Sequence, residues 1–280
     1  MSGLYLCSFA SPDLIKSVRR FTNQAKEIKI YNDLKVYSYS DLSDQKKKQI
    51  KELNLKKKRL FGYASWKPEI IFDYLKIIPN DSILQYSDIG CHLNKDGVER
   101  LRYYKDITNE KNILAFQYFK PNFQNEKKIR YQIYYENEYT KNDLFNYLNI
   151  PENSTIRKSE QVWSGSMFIK NNKFTRDFLK KWIDICKVNH LIDDSPSKTE
   201  NSLNFIEHRH DQSVFSILSK MHNAYFLSAS ECEWAEDDAG RHWEHLKFFP
   251  ILAKRDKKMN IFKRFFNRQA KNLKKFINYE

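Results

Sequence analysis

Glycine is scarce in this chain, with six among 280 residues. Neither GxGxxG nor GxxxxGK(S/T) occurs, which removes the glycine-rich phosphate loops of dinucleotide folds and P-loop NTPases. A nucleotide bound here must be held by side chains and strand ends. Cysteine is sparser still: Cys7, Cys91, Cys186 and Cys232 lie far apart and form no CxxC pair. That spacing gives no zinc cage and no disulfide framework, so reduced thiols are expected. No run of ~20 uncharged apolar residues is present. The opening "MSGLYLCSFASPDL" lacks the basic start and long apolar core of a secretory signal, so the sequence places the protein in the cytoplasm. No internal repeat or low-complexity linker divides it.

What is present suffices for a sizeable core. The chain is 41% hydrophobic and 15% aromatic, too apolar for disorder and long enough for one large domain. The net charge of +14 calls for a polyanionic partner: nucleic acid, anionic lipid or a phosphate-bearing substrate. The charge is uneven. From Lys254 to Glu280 ten Lys and Arg face two acidic residues, and a second basic cluster runs from Lys46 to Arg59. Such clusters are ordinarily solvated faces.

Apolar patterning predicts alternating strands and helices. "GLYLCSF" (Gly3 to Phe9) reads as a strand. Ser11 as N-cap and Pro12 at the first helical position begin a helix carrying Leu14, Ile15, Val18, Phe21 and Ala25 at helical spacing. Further strands are expected at Leu34 to Tyr39, in "SILQYS", at Ile113 to Phe119 and at Gly165 to Lys170. "KPEIIFDYLKII", "TRDFLKKWIDICKVN" and "DQSVFSILSKM" read as helices. This alternation predicts an α/β domain over 1–253, with a mostly parallel central sheet flanked by helices. The remaining 254–280 forms a basic amphipathic helix in this reading. It gathers Met259, Phe262, Phe266, Leu273 and Phe276 or Ile277 on one side, as suits an anionic bilayer surface. Docking of that apolar stripe onto the domain is the structural alternative.

Chemistry-bearing residues cluster where core elements end. In "FGYASWKPEII", Trp66 offers a stacking surface and Lys67 precedes a helix start, a plausible phosphate pocket; a core tryptophan at a helix-start turn is the alternative. In "ILQYSDIGC", Asp88 ends a strand at the edge where open α/β sheets bind ligands, unless it only begins a turn. In "FIEHRHDQSVFSIL", His208, Arg209, His210, Asp211 and Gln212 are five consecutive polar residues before an apolar helix, more than a cap requires. Weaker candidates are Thr140 and Asp143 as caps, Gln161, Trp163, Ser164 and Gly165 as a sugar-contacting edge, and His242 and His245, which lack fixed metal-ligand spacing.

The ordered set "GYASWKP", "ILQYSDIGC", "WSGSMFI" and "EHRHDQSVFS", from about Gly62 to Arg255, resembles bacterial capsule and lipopolysaccharide glycosyltransferases of GT-A-like fold. Their pattern looks like GYWxWKP, YLDAGC and EHRHDQSxFS. The resemblance implies a Leloir enzyme, of hexosyl or pentosyl type, moving a sugar from a nucleotide-sugar donor (a UDP-linked one) to a glycan or lipid-linked glycan acceptor. It implies donor contacts from Ser8, Phe9, Tyr63, Trp66, Lys67, Asp88 and Gly90. Acceptor contacts fall to Trp163, Ser164, His208, His210 and Gln212, with Asp211 as base in an inverting enzyme or as the acceptor-orienting group in a retaining one, and Arg209 beside Lys67 as charge at the leaving diphosphate. Asp88 stands at the first position of a DxD-like motif, where a divalent cation (Mn or Mg) would bind. Gly90 replaces the second carboxylate, which leaves the need for the cation open, and "GYAS" replaces "GYWx". The basic tail, suited to an anionic bilayer, gives the expectation of a peripheral place at the inner face of the plasma membrane, and no nucleic acid partner is expected. Two rivals remain. A basic, non-catalytic nucleic-acid-binding protein would use the charge and the 17 Tyr and 20 Phe, yet no RRM, KH or helix-turn-helix pattern occurs. A nucleotidyltransferase would need the missing glycine loop.

Overall fold

Buried strands alternate with amphipathic helices to build one mixed sheet with helices on both faces. The computed structural model describes residues 2–56, 60–121 and 129–254. Its strands are β1 (Leu4–Ala10), β2 (Asp33–Ser38), β3 (Ile83–Ser87), β4 (His92–Leu93), β5 (Ile113–Gln117), β6 (Val162–Lys170), β7 (Tyr225–Ser228), β8 (Ala235–Asp237), β9 (Gly240–His242) and β10 (Ile251–Leu252). The main sheet has the order β2-β1-β3-β6-β5-β7. All its neighbours pair in parallel except β6, which runs antiparallel to both β3 and β5. The expected mostly parallel α/β sheet is therefore present, with one reversed strand at its centre.

Side chains of opposite parity feed two cores. On one face Ile50, Ile71, Tyr74, Phe178, Trp182 and Phe215 pack beneath helices Asp44–Lys56, Lys67–Ile77, Lys173–Cys186 and Asp211–Met221. On the other, Phe21, Ala25, Leu101 and Tyr104 pack from helices Ser17–Ile28 and Val98–Lys111. Among the described residues no helix is long and apolar enough to cross a membrane. The basic helix expected over 254–280 lies outside the described residues from 255 onward.

Two local expectations are corrected. Ser11 and Pro12 open only a 3-10 turn, Pro12–Leu14, and the helix begins at Ser17. The Ser11 hydroxyl turns to Asp13, and Ile15 is left 56% exposed. The strand expected from Gly165 starts earlier, at Val162, so Trp163 and Ser164 lie inside β6. Gly165 is needed there because a Cβ would come within 2.2 Å of the Trp163 ring.

Candidate active site

The parallel strands carry their C-terminal ends to one edge, and the reversed β6 brings its N-terminal half to the same edge. Between β1 and β3 the chain order switches sides, since β2 lies on one flank of β1 and β3 on the other. Such a switch point opens a crevice where ligands bind. Asp88 immediately follows β3 there. Its N–H donates to the Gly165 carbonyl at 2.8 Å, and its own carbonyl accepts from Cys91 N–H at 2.8 Å, closing a turn over Ile89 and Gly90. Arg20 fastens that turn from outside by donating to the carbonyls of Ile89 and Cys91, each at 2.8 Å.

Lys67 reaches this edge from the start of helix Lys67–Ile77. Its ammonium contacts Asp211 Oδ2 at 2.7 Å and Asp88 Oδ1 at 3.4 Å. It also donates to the Ser164 carbonyl at 3.0 Å and to Ser164 Oγ at 3.2 Å. Ser164 Oγ in turn donates to Asp211 Oδ2 at 2.9 Å, and Tyr86 OH donates to Asp88 Oδ1 at 2.6 Å. The Tyr86 ring lies 5.2 Å from the ammonium. Three segments far apart in sequence thus converge on one ammonium. The side chains of Lys67 and Asp211 are 4% and 5% exposed, whereas that of Asp88 is 46% exposed. Asp211 opens helix Asp211–Met221, but its carboxylate turns to Lys67 and Ser164.

The charges explain one another. Burial would lower the Lys67 pKa, but Asp211 and Asp88 together hold it above its usual value. Burial pushes Asp211 above the usual carboxylate range, Lys67 opposes that shift, and Asp88 adds to it by repulsion. The result is a persistent ammonium beside a carboxylate of raised basicity.

Lys67 follows a strained turn. Leu60, Phe61, Gly62, Tyr63 and Ala64 all have positive φ, between 47° and 66°. Left-handed backbone costs a non-glycine residue roughly 1–2 kcal/mol, so the fold holds this segment against its preference. Gly62 serves backbone packing, since a Cβ would come within 2.7 Å of Ile50.

Several expected contact residues are used inside the protein instead. Trp66 stacks on Phe9 at a centroid distance of 3.8 Å and donates its indole N–H to the Phe61 carbonyl at 3.0 Å. Both rings are buried, which corrects the expectation of a free stacking surface. Ser8 is buried and donates to the Ser87 carbonyl at 2.7 Å, tying β1 to β3. Tyr63 packs against His210 at 4.7 Å. The two histidines, expected on the acceptor side, are buried braces: Nε2 of His208 bonds the Leu191 carbonyl at 2.8 Å, and Nδ1 of His210 bonds the Ile192 carbonyl at 2.7 Å. Nδ1 of His208 accepts from Lys141 N–H at 3.2 Å, so that ring is held neutral. Trp163 is buried against Phe116, and Gln212 donates to Gln161 Oε1 at 3.0 Å. Asp143 anchors a distant loop by accepting from Lys198 and Thr199, while Thr140 donates to Glu136. His245 bonds the Ser230 and Glu233 carbonyls.

Arg209 is the larger correction. Its guanidinium does not join Lys67 but lies 3.8 Å from the Tyr134 ring centre and 4.2 Å from that of Tyr139.

The donor set does not suit a protein-held dication. Asp88 Oδ1 already serves Tyr86 and Lys67, Asp211 is committed to the same ammonium, and Gly90 removes a second carboxylate. Among the described residues no group of three or more His, Cys, Asp or Glu could hold a metal. An Mn or Mg ion at Asp88 would adjoin the Lys67 ammonium, and like charge so near disfavours it.

Tyr86, Arg20, Tyr134 and Tyr139 carry no role in the motif pattern of the sequence. Tyr86 was findable, because it precedes Asp88 by two residues and strand periodicity puts both on one face. The others come from separate segments and carry no local signal.

No family model matches the chain, and no curated protein matches its sequence. Among solved structures, a glycosyltransferase involved in glycosylation of the major capsid of PBCV-1 shares 11% identity, with 96% of this chain and 99% of that one covered at a TM-score of 0.44. Mouse xyloside xylosyltransferase 1 shares 10% identity over 82% of this chain and 87% of that one, at 0.41. The galactosyltransferase LgtC shares 9%, over 82% and 75%, at 0.38. Similarity at this level assigns no activity to the chain.

Proposed function

We propose that this chain is a GT-A-like glycosyltransferase of the Leloir hexosyl or pentosyl type. It moves a sugar from a nucleotide donor, a UDP-linked one, to a surface glycan in capsule or lipopolysaccharide synthesis. The observation that carries this reading is the Lys67 ammonium held between Asp211 and Asp88 at the β1/β3 switch point. A buried cation at a sheet's carboxyl edge is preorganised to stabilise charge on a departing diphosphate without reorganising at the moment of reaction. The half-exposed Asp88, backed by Tyr86, accepts hydroxyl hydrogen bonds from the donor. The sequence resemblance brings the same residues together independently.

Asp211 supplies the remaining chemistry. Its Oδ2 is taken by Lys67 and Ser164, while Oδ1 makes no hydrogen bond among the described residues. Burial raises its basicity toward the operating pH, as a general base requires. In an inverting reaction Asp211 takes the acceptor hydroxyl's proton; in a retaining one it orients that hydroxyl. The anomeric configuration of the product separates the two. An acceptor held at the inner membrane face suits the basic tail, where each Lys or Arg near an anionic surface adds about 1 kcal/mol.

A panel of nucleotide sugars tests the reading by thermal shift and by release of nucleoside diphosphate. One donor, UDP-linked, should raise the melting temperature and turn over, and Asp88→Asn should lose turnover while keeping the wild-type melting curve. If no nucleotide sugar binds while single-stranded nucleic acid does, the basic binding-protein reading replaces this one.

A further inference from the structure

Arg209 is the best-prepared recognition group that the transfer chemistry leaves unused. Its backbone N–H is fixed by the Tyr139 carbonyl at 3.1 Å and by Ser213 Oγ at 3.2 Å. Its guanidinium lies over Tyr134 and Tyr139, whose rings stand edge to face at 5.1 Å. Tyr118 supports Tyr134 in the same geometry at 4.7 Å. The guanidinium is thus packed against two aromatic rings set at a right angle, and the side chain is half-buried. Its five N–H donors make no hydrogen bond or ion pair among the described residues. Glu207 adds electrostatic attraction to that of the surrounding tyrosines. Stacking leaves the donor edge of a guanidinium open, and that edge matches the paired oxygens of a carboxylate or phosphate.

Location separates this group from the donor crevice. Tyr118 directly follows β5, and β6 stands between β5 and β3. The aromatic clamp on Arg209 is thus built beside β5 rather than at the β1/β3 switch point.

We propose that Arg209, clamped by Tyr134 and Tyr139, is an oxyanion subsite that selects an acceptor glycan bearing a carboxylate or phosphate. The proposal rests on the glycosyl-transfer reading for the word acceptor, but its ligand chemistry is read from the clamp alone. Such a subsite gives the enzyme two anion-binding points: Lys67 for the departing diphosphate, and Arg209 for a charge fixed on the acceptor. The second fixes register, because an acceptor unit without the charge leaves a desolvated guanidinium unpaired.

The test uses full-length protein and three probes followed by saturation-transfer NMR titration: methyl β-D-glucuronide, glycerol 3-phosphate and the neutral methyl β-D-glucoside. At least one anionic probe should bind roughly tenfold to a hundredfold tighter than the glucoside, the range set by charge-assisted hydrogen bonds. Which anion wins identifies carboxylate or phosphate as the source. Arg209→Gln should erase the preference and leave UDP affinity unchanged. Arg209→Lys, which keeps the charge and loses the bidentate fork, should retain only part of it and serves as the deciding variant if Arg209→Gln lowers the melting temperature. Equal binding of neutral and anionic probes, or a preference untouched in both variants, overturns the proposal. Failure of UDP to bind wild-type protein counts against glycosyl transfer and not against the subsite, since the probes carry no nucleotide.

Discussion

Replacing Lys67 by Met removes the one positive charge that Asp211 touches among the described residues. In the wild type that contact is 2.7 Å, between side chains 4% and 5% exposed. Breaking a buried ion pair on one side costs about 3–5 kcal/mol, because the orphaned charge stays buried. The longer contact to the half-exposed Asp88 adds about 0–1 kcal/mol. For a chain of this size each kcal/mol lowers Tm by roughly 2–4 °C, so Lys67→Met should melt about 6–24 °C below wild type. The penalty should depend on pH. Without the ammonium, burial and the repulsion from Asp88 outweigh the Ser164 hydrogen bond at Asp211, and the folded state binds its proton more readily than the unfolded chain. A carboxyl raised in this way favours the folded state at low pH and loses that contribution as pH rises. The gap to wild type should therefore narrow from pH 8 to pH 5. Adding Asp211→Asn to Lys67→Met removes the orphaned charge and should restore most of the lost stability. Urea unfolding of wild type, both single variants and the double closes the thermodynamic cycle. A Lys67→Met penalty under about 1 kcal/mol, or a double variant no more stable than Lys67→Met, would refute the ion-pair account.

The same physics gives three further outcomes. His208 is buried, already accepts a hydrogen bond at Nδ1, and has its pKa pushed well below 6.5 by burial, then by His210 and Lys141; protonation thus opposes folding, and wild-type stability should fall as pH drops below about 6.5. His208→Gln should flatten that slope in melting curves between pH 7.5 and 5, and an unchanged slope would assign it elsewhere. Sugar transfer should persist in excess EDTA, because Lys67 supplies the charge at the leaving group; complete loss restored by Mn²⁺ or Mg²⁺ would put a dication back at Asp88. Full-length protein should float with anionic liposomes at low salt and a form ending at Arg255 should not, whereas flotation of neither would remove the membrane role of the basic tail.

The α/β layering was legible because hydrophobic periodicity alone separates strands from helices here. The reversal of β6 was not, since a strand buried on both faces reads the same in either direction. Asp88, Lys67 and Asp211 were each legible as polar residues at element ends, and Ser164 as a polar residue beside a strand whose start the sequence set too late. Their convergence on one ammonium was not, because it depends on the order β1-β3-β6. Types of residue misled in the opposite direction at Trp66, His208 and His210. Aromatic and imidazole groups suit both ligands and cores, and only the stacking of Trp66 on Phe9 and the bonds to Leu191 and Ile192 decide between them. Glu136 escaped notice because a fully buried acid is rare. Lys220, Ser216, Thr140 and Gln161 satisfy it inside the fold.

The central claim is that Asp211, fixed by Lys67 and Ser164, acts on the acceptor of a nucleotide-sugar reaction. Steady-state turnover of the donor found in the panel, measured for wild type and Asp211→Asn with donor and acceptor varied separately, tests it directly. A general base predicts a fall in kcat of ~10²–10⁴-fold, with donor affinity changed only a few-fold. A kcat within a few-fold of wild type, in a variant that folds normally, would contradict the account.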